Sequence, residues 1–211
     1  MKVLLAIAVL GLAPAACKDA KGTAVASAAA SVRPDSARHA PGYVVDSALP
    51  TEETLRRFRV GLPPVTRLDR GAARSRHALI EHFANAVTKR DTVALHAMGL
   101  SRSEFAYLYY PSSQYVRPPY EMPADVLWQL MHARSESGMK RLAARVGGGN
   151  VHVASYDCEP TPRAEGDNRF FERCTIRYRR DAADSVEHRR LFGSIIERDG
   201  LYKFVSYAND F

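Results

Sequence analysis

Apolar residues recur at helical spacing up to about Asn150 and at strand spacing beyond it. Between Gly71 and Arg90, Leu79, Ile80, Phe83, Ala86 and Val87 fall on one helical stripe, which predicts an amphipathic helix burying that face. Asp91 starts a second helix over Val93, Leu95 and Met98. Ser101-Arg102-Ser103-Glu104 has the spacing of a capping box ahead of Phe105, Leu108 and Tyr109. Pro111, Pro118, Pro119 and Pro123 then break the chain into a loop rich in tyrosine and proline. A longer helix from Ala124 to Val146 carries Leu127, Leu130, Met131 and Leu142. Gly138 is a weak point in it, and Gly147-Gly148-Gly149 stops it.

Past Asn150 the runs Val151 to Cys158, Arg169 to Arg180, Val186 to Arg198 and Leu201 to Tyr207 alternate as strands do. Asp199-Gly200 is a hairpin signal. A two-residue turn there sets Ile195 opposite Phe204, Leu191 opposite Ala208 and Glu197 opposite Tyr202. Helices followed by a four-strand meander predict an α+β domain, with the helices packed on one face of a four-stranded antiparallel sheet.

Ahead of this domain the composition changes twice. Residues 1–16 have a basic start (Lys2), an apolar run from Val3 to Leu12 and then Ala13-Pro14-Ala15-Ala16, the layout of a signal peptide. The run is shorter than the roughly 20 residues of a membrane span. From Lys18 to about Pro50 the chain is rich in Ala, Ser, Asp and Pro without sustained periodicity, and residues 17–66 read as a flexible tether. A short helix is expected within it at 51–60, opened by a capping Thr51 with Glu52 and Glu53 in its first turn. Residues 67–211 have the size of one ordinary domain.

Ala15-Ala16-Cys17 resembles the bacterial lipobox, in which small residues precede a cysteine that is lipidated and becomes the new amino terminus; Pro14 departs from the usual leucine. The resemblance implies a lipid-anchored envelope protein. Lys18, which is not the aspartate that retains lipoproteins at the inner membrane, points to the outer membrane. Cleavage after Ala13-Pro14-Ala15 is the competing reading, and it leaves a soluble periplasmic protein. If Cys17 carries lipid, Cys158 and Cys174 remain as an even pair in an oxidising compartment, which predicts one disulfide. There is no C-x-x-C and no clustered histidine to make a metal site of them.

The order of helices and long antiparallel strands, ending in the hairpin from Arg190 to Phe204, resembles the cystatin-like cone of the nuclear-transport-factor-2, ketosteroid-isomerase and SnoaL-like superfamily. The resemblance implies a curved sheet, for which Gly193 would supply a kink. More closely, Glu104 to Pro111, Pro118-Pro119-Tyr120 and Ser206 to Asp210 resemble stretches of uncharacterised bacterial lipoproteins. The superfamily holds enzymes, ligand binders and scaffolds, so the likeness implies a fold and leaves the function open.

Four candidate chemistries follow from the residues. His152 and Glu172 share strand parity. With Cys158 opposite Cys174, however, Tyr156 meets Ile176, Ala154 meets Tyr178, and His152 lies roughly 25 Å along the ladder from the partner of Glu172. His77, Glu81 and His82 lie together on a helix, but not in the H-E-x-x-H order that aims two imidazoles at one zinc. His96, His132 and His188 are isolated in sequence. Arg173, Arg177 and Arg179, with Arg189 and Arg190 on the next strand, form a stripe that could meet anions, consistent with a formal net charge of +7. The Tyr-rich loop offers Tyr110, Tyr115 and Tyr120, with Trp128 beyond it, as amphipathic groups suited to a pocket mouth or an interface. No metal, cofactor or catalytic constellation is implied, and export argues against nucleic acid. The expected partners are the membrane, through lipid on Cys17, and an envelope protein or small apolar ligand. The expectation is a non-catalytic binding domain, with a small-molecule pocket enzyme or ligand binder of the ketosteroid-isomerase or SnoaL-like type as the alternative.

Overall fold

The computed structural model describes residues 49–181 and 185–211, so the leader, Cys17 and the tether up to residue 48 lie outside the described residues. Among the described residues four helices of seven residues or more form where the sequence predicts them: α1 (Thr51–Phe58), α2 (Arg76–Lys89), α3 (Thr92–Met98) and α4 (Ala124–Arg145). The whole predicted stripe of α2 is buried, and Ser75 caps the helix by accepting from the Ala78 N–H. Asp91 caps α3 in the same way through the Ala94 N–H; Leu95 and Met98 are buried there, while Val93 points into solvent. Ser101 and Glu104 form the capping box, and residues 105–109 continue as a π-helical turn. In α1 the cap position falls on Pro50, with no side-chain cap, and Thr51 is already helical. Phe58 of α1 is buried against Phe105 and Trp128. The helix expected inside the tether therefore packs into the domain.

Seven strands are described: β1 (Val151–Asp157), β2 (Arg163–Glu165), β3 (Asn168–Phe171), β4 (Thr175–Arg180), β5 (Glu187–Arg189), β6 (Ile195–Arg198) and β7 (Leu201–Phe204). They make two antiparallel sheets, ordered β1-β4-β5 and β2-β3-β6-β7. The α+β class stands, but the single four-stranded meander is corrected. Both long runs break, at residues 172–174 and 190–194. Arg173 takes a left-handed φ of 48°, which ends a strand. From Phe171↔Ile195 to Ile176↔Arg189 one segment advances five residues and the other six, so the ladder cannot run through. Gly193 falls inside this break. Cys158 and Cys174 lie at disulfide distance beside it, with Cα atoms 4.0 Å apart, both buried in the core. Reducing the pair, or replacing Cys174 by serine, should lower the unfolding free energy by about 3 kcal/mol. A urea midpoint that did not move on reduction would show that the bridge contributes nothing.

The Asp199-Gly200 turn has positive φ at both residues, 52° and 74°, as a type I′ hairpin requires. It sets Ile195 against Phe204 and Glu197 against Tyr202 in the expected register. Gly193 and Ser206 keep that register through a backbone hydrogen bond, but the Asp210 N–H reaches the Arg190 carbonyl one step out of it. The expected Leu191–Ala208 pair thus falls in irregular backbone.

Helices cover both faces of the four-stranded sheet, where one covered face was expected. On one side Ile195, Phe204 and Tyr207 pack with α2, α3 and the last turns of α4. On the other, Ile196 and Phe170 pack with Phe58 of α1, the Phe105–Tyr110 turn and the first turns of α4. The free edge of β7 is closed by Ala73 and by Gly99.

Candidate functional site

The four aromatic residues singled out from the loop divide between core and surface. Tyr110 is buried, its ring against Phe105 and its hydroxyl donating to the Met122 carbonyl at 2.8 Å; burial pushes its phenol pKa up. This bond ties the loop to the start of α4. Tyr110→Phe should therefore cost about 1 kcal/mol, read as a lower urea midpoint without loss of helicity. Trp128 is half-buried against Phe58 and Phe105 and stacks on the His132 imidazole, with centroids 5.5 Å apart and planes 9° from parallel. Tyr115 and Tyr120 meet edge to face at the loop surface, where Tyr120 is exposed.

The other expected groupings mostly come apart. A bulge in β1 puts Val153, not Ala154, opposite Tyr178 and turns His152 outward across from Arg179. Glu172 is engaged by Arg163 at the far end of the strands, so His152 and Glu172 share nothing. His77 and Glu81 form an exposed helical pair at 3.2 Å. The arginine stripe is divided: Arg173 pairs with Glu159, Arg189 with Glu187 and Arg190 with Asp210, while Arg177 and Arg179 remain on the outer face of β4. Among the described residues no three His, Cys, Asp or Glu side chains are gathered to hold a metal ion. Nor is any described helix long and apolar enough to cross a membrane.

Two constellations emerge that the linear reading missed. The first is a cleft between α3 and α4, where Glu136 stands 3.6 Å from His96 and 4.0 Å from His132. Trp128, Met139, Val205 and Tyr207 line it. His132 and Glu136 are four apart on α4, so helical spacing alone could have flagged them; His96 arrives only through tertiary packing. The second is a buried ion pair, Lys203 Nζ to Glu104 Oε2 at 2.8 Å, with both side chains only 2% exposed. The capping-box glutamate of residues 101–104 was legible, but its partner on β7 was not.

The chain matches no protein-family model, no curated protein and no solved structure.

Proposed function

We propose that this chain is an envelope-anchored lipoprotein whose domain, a cystatin-like cone by architecture, binds a partner or ligand and carries out no chemistry of its own. The observation that supports this reading is the packing between helices and sheet. Phe83 of α2 meets Phe192, Phe204 and Tyr207 with centroids 5.5, 5.4 and 6.2 Å away, and Phe192 lies 4.4 Å from Phe204. A pocket enzyme of the ketosteroid-isomerase or SnoaL-like type would use such an interior for its substrate, with two ionisable groups within hydrogen-bond reach. Between α2 and the four-stranded sheet aromatic rings occupy it. The only hydroxyl among those four, on Tyr207, donates to the Leu95 carbonyl at 2.6 Å, and burial drives its pKa far upward.

The test is cross-linking of the intact protein in its native membrane followed by pull-down. A discrete envelope partner is expected with the wild type, and its loss with Cys17→Ser. Fatty-acid labelling should mark the wild type and leave Cys17→Ser unlabelled. Equal behaviour of the two forms would replace the anchor by the soluble periplasmic reading.

A further inference from the structure

Three of the four sheet edges are closed or short. Ala73 and Gly99 bridge to β7, and β2 and β5 have three residues each. Strand β1 has seven and, among the described residues, one strand neighbour, β4. The row of N–H and C=O groups along such an edge is a template for another strand. Helix α2 runs beside it and is tied to it at both ends. The Val151 N–H donates to Thr88 Oγ1 at 3.0 Å, and the His77 and Tyr156 rings lie 6.4 Å apart. Between these ties a groove of about 770 Å³ stays open. Its β1 wall is the consecutive run 151–156. Side chains alternate across a strand, so a groove over one face would meet every second residue, and a groove along the edge meets all of them. The other wall is one side of α2, where Ile80 and Ala84 are buried while Glu81 and Asn85 are exposed. From Val151 to Tyr156 and from His77 to Thr88 the distance is roughly 16 Å by either rise per residue, room for about five residues of extended chain.

We propose that this groove takes an extended segment of a partner protein as an added strand beside β1, with small apolar side chains toward α2 and acidic ones on the outer face. Main-chain hydrogen bonds to the β1 edge hold it, and charge selects it. His152 pairs across the ladder with Arg179 and Ser155 with Arg177, so both arginines stand on the outer face of the sheet. Both are exposed, and unlike Arg173, Arg189 and Arg190 neither meets a carboxylate among the described residues. The acids of this face sit at the ends of the ladder, Asp157 opposite Thr175 and Asp181 beside Asn150 and 3.9 Å from His152, which leaves its middle basic. A carboxylate on the added strand lies two strand spacings, roughly 10 Å, from the arginines, a gap that the two side chains span together. The bulge between Val153 and Ser155 twists the edge, and α2 stands alongside, so a single peptide fits where the flat sheet edge of a second copy does not. The inference rests on the domain being a binder and names the site and the chemistry of what it binds.

Fluorescence anisotropy of a labelled seven-residue peptide of alternating valine and glutamate, titrated with the full-length protein, should saturate. The same peptide N-methylated at every interior amide keeps its side chains and loses its donors; a version with lysine for glutamate reverses its charge. Each should bind about tenfold or more weakly. On the protein, Arg177→Glu with Arg179→Glu should weaken binding by about tenfold or more, and so should Asn85→Trp, which fills the groove from an exposed helical position. Arg134→Glu with Lys140→Glu, both exposed on α4, makes the same change in net charge and should leave binding unchanged. Circular dichroism of each variant should match the wild type. The proposal is overturned by binding that does not saturate, by an N-methylated peptide that binds as well as its parent, by an unaltered Asn85→Trp or double-arginine variant, or by an equal loss in the α4 control. A wild-type dimer in sedimentation that Asn85→Trp dissolves would overturn it too, by making a second copy the occupant. Cross-linking separates the two readings. An envelope partner still captured by Asn85→Trp keeps the binder and removes it from this groove, whereas peptide binding without any captured partner keeps the groove and removes the envelope partner.

Discussion

Lys203→Met is expected to destabilise the domain by about 3–5 kcal/mol, because it leaves the Glu104 carboxylate charged and enclosed. That carboxylate is a junction. Oε1 accepts the Asp69 N–H and Oε2 the Ser101 N–H, both at 2.7 Å, while the Lys203 ammonium reaches both oxygens. One side chain thereby ties the loop before α2, the capping box after α3 and strand β7. Burial pulls the Lys203 pKa down, and Glu104 opposes it by favouring the charged ammonium. Glu104→Gln should cost a similar amount, since it strands the ammonium. The double variant should cost much less than the sum of the two, as expected for groups that share one interaction. Urea unfolding of the four proteins measures this coupling. Additive losses would mean that the two residues act separately and that no ion pair joins them.

The legibility of this molecule follows from how local each feature is. The α2 stripe, the Ser101–Glu104 box and the Asp199-Gly200 turn are encoded within a few residues, and each forms as the spacing predicts. Of the strand breaks, the one at Glu172-Arg173-Cys174 has no glycine or proline to mark it, while the one at Arg190 to Ser194 had a trace in Gly193 and in the adjacent apolar pair Leu191-Phe192, both buried. The second covered sheet face had a trace in the adjacent pair Ile195-Ile196: both are buried, which a sheet wet on one side does not need. Lys203 lies on the Ile196 side of that sheet, so its burial could not be read while that face was taken as solvent. The Glu136 cleft required knowing that α3 lies against α4, and no local pattern carries that.

Gly138 is where the sequence and the structure give opposite signs, which makes its substitution decisive. As a helix residue it is a weakness, and Ala at a free position would gain roughly 1 kcal/mol in helix propensity. In the folded chain a Cβ there would stand 1.7 Å from the Tyr207 carbonyl oxygen and 2.6 Å from its carbon. The obstacle is backbone, and it is held on every side. The Tyr207 N–H donates to Ser135 Oγ, and its ring is buried with its hydroxyl on Leu95. Asn209 donates to the Gly138 carbonyl and accepts from Arg141. Ser135, Gly138 and Arg141 thus form one face of α4 along which the C-terminal segment is fastened. Gly138→Ala must push the helix off that segment, so it should lose about 3 kcal/mol or more, above the usual range for overpacking, where side chains rather than backbone yield. Ser137→Ala, on the exposed side of the same turn, should change stability by only a few tenths of a kcal/mol. Thermal and urea unfolding of the two variants beside the wild type tests the contact directly. A Gly138→Ala protein as stable as the parent would mean that α4 and Tyr207 do not approach this closely, and the fastening of the C-terminal segment would have to be redrawn.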